Sequence, residues 1–320
     1  MNFIQGCACL FKRELVSKIL PAWKAVFLKE AIESILAQTY SNWELVVVDD
    51  CSPENLKGIV DLFDDARIRY FRNEKNLGRA NLVRQWNHSI SFAGGEWVVL
   101  AADDDIYRPA FCETCVRLAE KYPAVDLIHS SVEQIDEKGA HLWDDSILPE
   151  YTSRYEYLNA WLRGISFTCI GNFMFRRRAL LEKGGFIDFP CAFGTDIATP
   201  IRESCNGVAN TQKMLFCFRQ SARHLSADNS RFKEKLEAIS QLSEWLQAID
   251  YEVPDNPADK DFYSIKNPVY LHRKAIYDYF NLVIQYLPFS KLPSYLKLCR
   301  LATPADKGMM VLRWIKKRLI

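Results

Sequence analysis

Two short apolar runs in this chain each end on adjacent aspartates, and this restricts the fold more than any other feature. Residues 43–48, broken only by Glu44, lead into Asp49 and Asp50, and residues 96–102 lead into Asp103, Asp104 and Asp105. Runs this short and this rich in Val and Leu predict buried strands rather than helices. Between them lie amphipathic stretches. Residues 27–38 place Phe27, Leu28, Ala31, Ile32, Ile35 and Leu36 on one helical stripe, and residues 82–92 read as a second helix. Strands alternating with helices predict an α/β fold with a mostly parallel mixed sheet flanked by helices. In such sheets ligands sit outside the carboxyl ends of the strands, so both acid clusters are expected at one functional edge.

Further strands are expected over residues 16–20, where Lys18 interrupts the apolar pattern, 67–71 and 126–134. Helices are expected over 110–121, 155–163, 178–183 and 230–249. A charged, Pro-containing stretch at 252–266 reads as a linker. With 320 residues, one large domain plus an appendage is expected. The proportions of 49% hydrophobic and 25% charged residues are those of a soluble globular chain.

The net charge of +1 hides an asymmetry. Residues 268–320 carry ten Lys and Arg against two acids, so the rest of the chain is acidic. An acidic body argues against nucleic acid as a partner, and a basic tail points to an anionic surface such as a membrane. In its last turns, Val311, Leu312, Ile315 and Leu319 share one helical face and Arg313, Lys316 and Lys317 another, the pattern of an interfacial helix. A helix packed on the main domain with a solvated basic face is the plainer alternative. No apolar run approaches a membrane span, and residues 3–11 make a poor secretory signal. The ten cysteines are scattered, mostly in apolar settings, as expected of buried thiols in a reducing, cytoplasmic compartment. Cys112 and Cys115 form a lone CxxC without a second pair and read as one face of a helix.

Three adjacent carboxylates repel one another unless a cation or hydrogen-bond donors compensate. Hard oxygen ligands select Mg²⁺ or Mn²⁺, which such carboxylates share with substrate phosphates. Solvated acids at a helix N-terminus are the alternative reading of the triplet.

The order of motifs resembles that of family 2 glycosyltransferases with the GT-A fold, over roughly residues 16–230. Its carriers are residues 27–40, 44–52, 95–105 with Pro109, then Met174, Phe175, Arg176 and Arg177, and finally Gly184, Gly185 and Phe186. The resemblance implies a nucleotide-sugar donor and a metal-dependent, inverting transfer to a glycan or lipid-linked acceptor. Aligning Pro109 with the family's proline sets Ala102, Asp103 and Asp104 on the DxD-type motif. Asp104 is then the metal ligand, Asp105 its support, and Asp103 faces the ribose or sugar. Asp50 matches the acid that accepts the N3–H of a uracil or thymine ring, pointing to a UDP-sugar, with Asp49 beside it. Arg79 and Arg84 are candidates for the diphosphate and Trp23 for stacking on the base.

Asp196, in Gly194-Thr195-Asp196, follows at the interval of the family's catalytic base, and His224 falls on its mobile segment and is a candidate for the metal or phosphates. Turn formation for Asp50, a helix cap for Asp196, and plain surface positions for Arg79, Arg84 and His224 are the alternatives from the residues alone. The implied division is an extension at 1–15, a GT-A domain at 16–250 (nucleotide-sugar half 16–109, acceptor half 110–250), and a linker with basic amphipathic helices at 251–320. The match is poorest in the first strand, where Pro21, Ala22, Trp23 and Lys24 replace the expected turn. That departure leaves open a non-catalytic scaffold with a degenerate site. A nucleotidyltransferase would want a Gly-rich phosphate loop after the first strand, and none is present.

Overall fold

The computed structural model describes residues 12–221, 229–249 and 251–319. Strands and helices alternate at first: β1 (Lys12–Ala22), α1 (Leu28–Leu36), β2 (Trp43–Asp49), α2 (Leu56–Val60), β3 (Ile68–Arg72), α3 (Leu82–Ser89) and β4 (Gly95–Leu100). Next come β5 (Ile106–Tyr107), α4 (Phe111–Lys121), β6 (Leu127–His129), β7 (Val132–Ile135), β8 (His141–Asp144), β9 (Tyr151–Thr152) and α5 (Arg154–Leu162). They are followed by β10 (Phe173–Arg176), α6 (Arg177–Glu182), α7 (Thr195–Glu203), β11 (Val208–Asn210) and β12 (Phe216–Arg219). Helices α8 (Phe232–Ala248), α9 (Pro257–Tyr263), α10 (Pro268–Leu282), α11 (Leu292–Leu298) and α12 (Pro304–Leu319) complete the chain.

The main sheet has the order β3-β2-β1-β4-β10-β6-β11-β9. Its first four strands are parallel, and β10 then pairs antiparallel with β4. The chain winds outward from β1 through β2 to β3, then returns to place β4 on the other side of β1. The carboxyl ends of β1 and β4 therefore flank the topological switch point, where ligands bind in doubly wound sheets. A smaller sheet, β5-β12-β7-β8, stands beside this edge. Residues 126–134, expected as one strand, are split between the two sheets. Ser130 donates its amide to the Asn172 carbonyl and the Ser131 hydroxyl bonds the Ser146 carbonyl, so the chain turns from β6 into β7 at this buried pair.

Alternation along β1 sorts its side chains onto two faces. Val16 and Leu20 join a core with Leu45, Val47, Trp97 and the inner sides of α1 and α4, whereas Ile19 joins Val46, Val48, Val98 and Leu100 beneath α3. Lys18 belongs with the first set. It does not break the strand: β1 runs for 11 residues at the centre of the sheet. Its ammonium is fully buried, 3.4 Å from the Tyr107 ring centre and 4.6 Å from that of Phe111, with no hydrogen-bond partner among the described residues. Burial lowers its pKa, opposed by the neighbouring Cys112 and Cys115 thiols.

A lysine whose folded pKa lies below its unfolded one costs stability as pH falls beneath the unfolded value. Cation–π attraction returns about 2 kcal/mol at such a site, less than the several kcal/mol of desolvation. Lys18→Met should therefore raise the melting temperature at pH 7, with a gain that shrinks as the pH approaches 10. Thermal unfolding across pH checks this.

Cys112 and Cys115 are both buried on the inner face of α4, and the eight described cysteines are free thiols. The stretch read as a linker contains α9, and Tyr251 and Ile265 on either side of it are buried with the second core. A third core joins Phe232, Leu236 and Ile239 of α8 to Ala275, Tyr279 and Phe280 of α10 and to Met310 and Trp314 of α12. The terminal helix thus buries Met310 and Trp314, with Val311 packed at their edge, rather than the whole face marked by Val311, Leu312, Ile315 and Leu319. Of these, Leu312, Ile315 and Leu319 remain exposed. Among the described residues no helix is long and apolar enough to cross a membrane.

Candidate active site

The aspartate triplet emerges from β4 at the switch point, and Trp23 and Lys24 emerge from β1 opposite it. Asp103 joins the two: one carboxylate oxygen accepts the amides of both Trp23 and Lys24, each at 2.9 Å. The unusual turn after β1 is thus held by the triplet. Burial first, then the charge of Asp104, raise the Asp103 carboxyl to about 6, and the two amides pull it down.

Asp105 is buried and accepts the Arg219 amide at 3.0 Å. Burial, followed by the Asp104 charge, holds its carboxyl well above the usual range. Asp104 is raised chiefly by burial, against the pull of Lys24 and Arg219. No neighbouring residue donates a hydrogen bond to its carboxylate among the described residues, so Asp104 is the triplet's open carboxylate.

Arg219 is the residue that sequence reasoning missed. β12 pairs antiparallel with β5, the strand directly after the triplet, which brings Arg219 beneath it. Its guanidinium is 1% exposed and bonds the Asp104 carbonyl (2.9 Å), the Glu137 carbonyl (2.9 Å) and the Glu30 carboxylate (2.7 Å). The only sequence signal was an arginine ending the apolar pattern of residues 215–218. A buried cation here, bonded through all three of its nitrogens, fixes the backbone of the triplet and offsets part of its charge.

Asp50 forms the far end of the same cavity. One oxygen accepts the Asn73 side-chain amide (2.7 Å) and the Leu77 amide (2.8 Å), the other the Gly78 amide (2.7 Å). Each oxygen has two acceptor directions, so the Gly78-bonded oxygen retains capacity for a further donor. Asp49 is placed differently. It is fully buried, outside the cavity wall, and braces Ser52, Tyr70 and Arg72, so of the two carboxylates only Asp50 reaches the cavity.

Trp23 and Arg79 line the cavity, but Arg84 does not: on α3, Val83 and Gln85 face inward and Arg84 points to solvent. Arg79 carries no side-chain partner among the described residues. His224 lies outside the described residues.

Asp196 stands in the first turn of α7 and lines the cavity across from the triplet's strand. A tight backbone delivers it: Cys191 (φ 52°) and Ala192 (φ 57°) are left-handed although neither is glycine, and Gly194 follows at φ 89°. Left-handed non-glycine residues cost about 1 kcal/mol or more each and cluster at functional sites. A Cβ on Gly194 would also stand 3.1 Å from a Leu242 methyl, so glycine is required there. Burial raises the Asp196 carboxyl to about 7, outweighing the amides of Asp196 and Gly194 that pull it down. A carboxyl poised near neutrality in a cavity has the properties of a general base or acid.

The cavity measures about 1900 Å³ and runs from Asp50 past the triplet and Asp196 to the end of α5 and the face of α10. Among the described residues, no group of three or more His, Cys, Asp or Glu forms a ready-made metal site. The triplet instead offers one open carboxylate in a concentration of raised acids, a donor set suited to a divalent cation that completes its shell with ligand oxygens.

A parallel sheet with an acid triplet at its switch point, joined to an antiparallel half that carries a second carboxylate, is the GT-A architecture. The chain belongs to glycosyl transferase family 2, whose model matches residues 4–185. The match starts ahead of residue 16, where the resemblance read from the sequence began, in keeping with a first strand that starts at Lys12.

The chain is 38% identical over 94 residues to the Escherichia coli UDP-Glc:alpha-D-GlcNAc-diphosphoundecaprenol beta-1,3-glucosyltransferase WfgD, covering 29% of this chain and 36% of the relative. It spans less than half the length of the curated relatives it matches. Among solved structures, S. aureus TarS in complex with UDP-GlcNAc superposes with a TM-score of 0.70 at 15% identity, over 88% of this chain and 79% of that one. The mannosyltransferase PcManGT from Pyrobaculum calidifontis, with GDP-Man and Mn²⁺, gives 0.55 at 16% identity over 98% and 82%. At these identities the structures share the fold.

Proposed function

We propose that the protein is an inverting, metal-dependent glycosyltransferase that moves a sugar from a nucleoside-diphosphate donor, of the UDP type, to a hydroxyl of a glycan or lipid-linked acceptor in surface polysaccharide or glycoconjugate synthesis. The observation that carries this reading is a single cavity lined by Asp50, the triplet and Asp196. Asp50 accepts the base's ring N–H, Trp23 offers an aromatic face to the base, and Arg79 and Lys24 offset the diphosphate. Asp104 holds Mn²⁺ or Mg²⁺ with Asp105 behind it. When bound, the ion supplies positive charge to the leaving diphosphate.

Asp196 takes the proton from the acceptor hydroxyl as its oxygen bonds to the anomeric carbon and the bond to the diphosphate oxygen breaks. Single displacement is supported by the lack, among the described residues, of a second free carboxylate on the wall that carries Asp196: Glu234 there is ion-paired with Arg231. The continuity of β1 favours this reading over a non-catalytic scaffold. With Mn²⁺, a UDP-sugar should raise the melting temperature by several degrees in a thermal-shift screen. A GDP- or dTDP-sugar that stabilises more strongly would move the base assignment, and no response to any nucleotide would count against the reading.

We divide the chain into a catalytic domain ending near residue 250 and a helical tail that meets the cytoplasmic face of an anionic membrane. Exposed Leu312, Ile315 and Leu319 on α12, beside Arg313 and Lys316, support this. The protein should float with vesicles containing about a third anionic phospholipid, and Leu312→Glu with Leu319→Glu should remove it from them. Equal flotation with neutral vesicles would contradict the charge argument.

A further inference from the structure

The cavity is about twice as large as one ligand requires, since sites for single small molecules run to roughly 1000 Å³. Its surplus lies on the side away from Asp50, where the wall changes character. There α5 ends at Gly164, whose φ of 69° turns the chain, and Arg163 stands at that turn. α10 closes against it: the Tyr270 hydroxyl bonds the Leu162 carbonyl at 2.9 Å, and the Lys274 ammonium lies 5.0 Å from the Trp161 ring centre.

Tyr270, Arg273, Lys274 and Tyr277 of α10 all face the cavity. Lys274 is neutralised by Asp278 on the same helix, at 2.6 Å. Arg163 and Arg273 have no acidic partner among the described residues. The end of the cavity opposite Asp50 thus presents two guanidinium groups without an acidic partner among the described residues, set between tyrosines. Arginine's planar fork matches phosphate oxygens, and the aromatic faces give a sugar or an alkyl chain a surface to lie on.

We propose that Arg163 and Arg273 form a subsite for a phosphate carried by the acceptor, with Tyr270 and Tyr277 flanking the group attached to it. This rests on reading the cavity as a glycosyltransferase site, and it names the chemistry of the second substrate. The helical tail supplies half of the subsite, so it contributes to acceptor choice as well as to packing. The phosphate anchors the acceptor while the hydroxyl to be glycosylated reaches Asp196 in the same cavity.

The test uses the full-length protein saturated with UDP and Mn²⁺, which occupies the donor's own phosphate site. Binding is then measured by calorimetry for a decyl N-acetylglucosaminyl diphosphate, for the matching neutral decyl glycoside, and for inorganic pyrophosphate. The expected result is that the glycosyl diphosphate binds at least about tenfold more tightly than the neutral glycoside, as one charge-assisted contact provides. Pyrophosphate should compete with it, showing that the phosphate rather than the chain is recognised. Arg163→Ala with Arg273→Ala should abolish the preference without changing UDP affinity or the melting temperature, and the double lysine variant should restore part of it.

Equal binding of charged and neutral ligands, or a preference that survives the double alanine variant, overturns the subsite. Failure of UDP and Mn²⁺ to bind would instead strike the donor reading. In that case an arginine-dependent preference for the glycosyl diphosphate, measured without UDP, would still establish the subsite.

Discussion

Replacing Asp196 with Asn should lower kcat by about 10²- to 10⁴-fold, the range supplied by a positioned general base, while leaving donor affinity near the wild-type value. Asn keeps the size of the side chain and one acceptor oxygen for the backbone amides, so the cavity and the first turn of α7 are retained. Only the ability to take a proton is lost. With the Asp196 carboxyl at about 7, the pH dependence has a definite sign. The base must be ionised, so the wild-type kcat/KM should fall tenfold per unit below pH 7 and level off above it. In Asp196→Asn that limb should vanish. The same residue carries a stability consequence: a carboxyl raised on folding costs stability above its unfolded pKa, so the Asn variant should be at least as stable as wild type at pH 8. Steady-state kinetics from pH 5.5 to 9, with melting curves at both ends, check these expectations together.

The second large effect is expected from Asp104→Ala. Asp103 is committed to the amides of Trp23 and Lys24, and Asp105 to the Arg219 amide, so Asp104 is the carboxylate left for a cation. Its loss should remove Mn²⁺-dependent donor binding and reduce turnover by about 10³-fold or more, several kcal/mol of charge stabilisation. Asp103→Ala should behave differently, because it releases the turn after β1 and costs stability as well as activity. A titration of Mn²⁺ in the presence of UDP, followed in parallel with thermal melting, separates the two. If Asp104→Ala binds Mn²⁺ and UDP as wild type does, the cation is held elsewhere.

Much of this arrangement was legible in the sequence because it depends on local patterns. The apolar runs ending in acids fixed β2 and β4, and their alternation with α1 and α3 implied the parallel half of the sheet. What escaped the sequence depends on distant pairing. Lys18 looked like an interruption because the rings that cover it, Tyr107 and Phe111, belong to a later part of the chain. Arg219 reaches Asp105 across 114 residues, through a two-residue strand too short to be read from periodicity.

Neighbouring candidates were separated only by local geometry. Asp49, the last residue of β2, points into the core, whereas Asp50 just beyond the strand reaches the loop at Leu77 and Gly78. Arg79 lies in that loop, whereas Arg84 falls on the outer face of a helix. For α12 the hydrophobic pattern showed an apolar face, but the third core uses Met310 and Trp314 instead. Pattern alone does not say which of two apolar faces will find a partner.

Release of nucleoside diphosphate from its sugar donor tests the central claim most directly. Purified full-length protein, given UDP-sugars with Mn²⁺ and followed by a coupled UDP assay, should liberate UDP from at least one donor. The release should stop when the metal is chelated and resume when it is restored, and Asp104→Ala and Asp196→Asn should each suppress it. UDP release that is unaffected by chelation and by Asp104→Ala, or no release from any nucleotide sugar even with crude glycan and lipid-linked acceptors added, would contradict it.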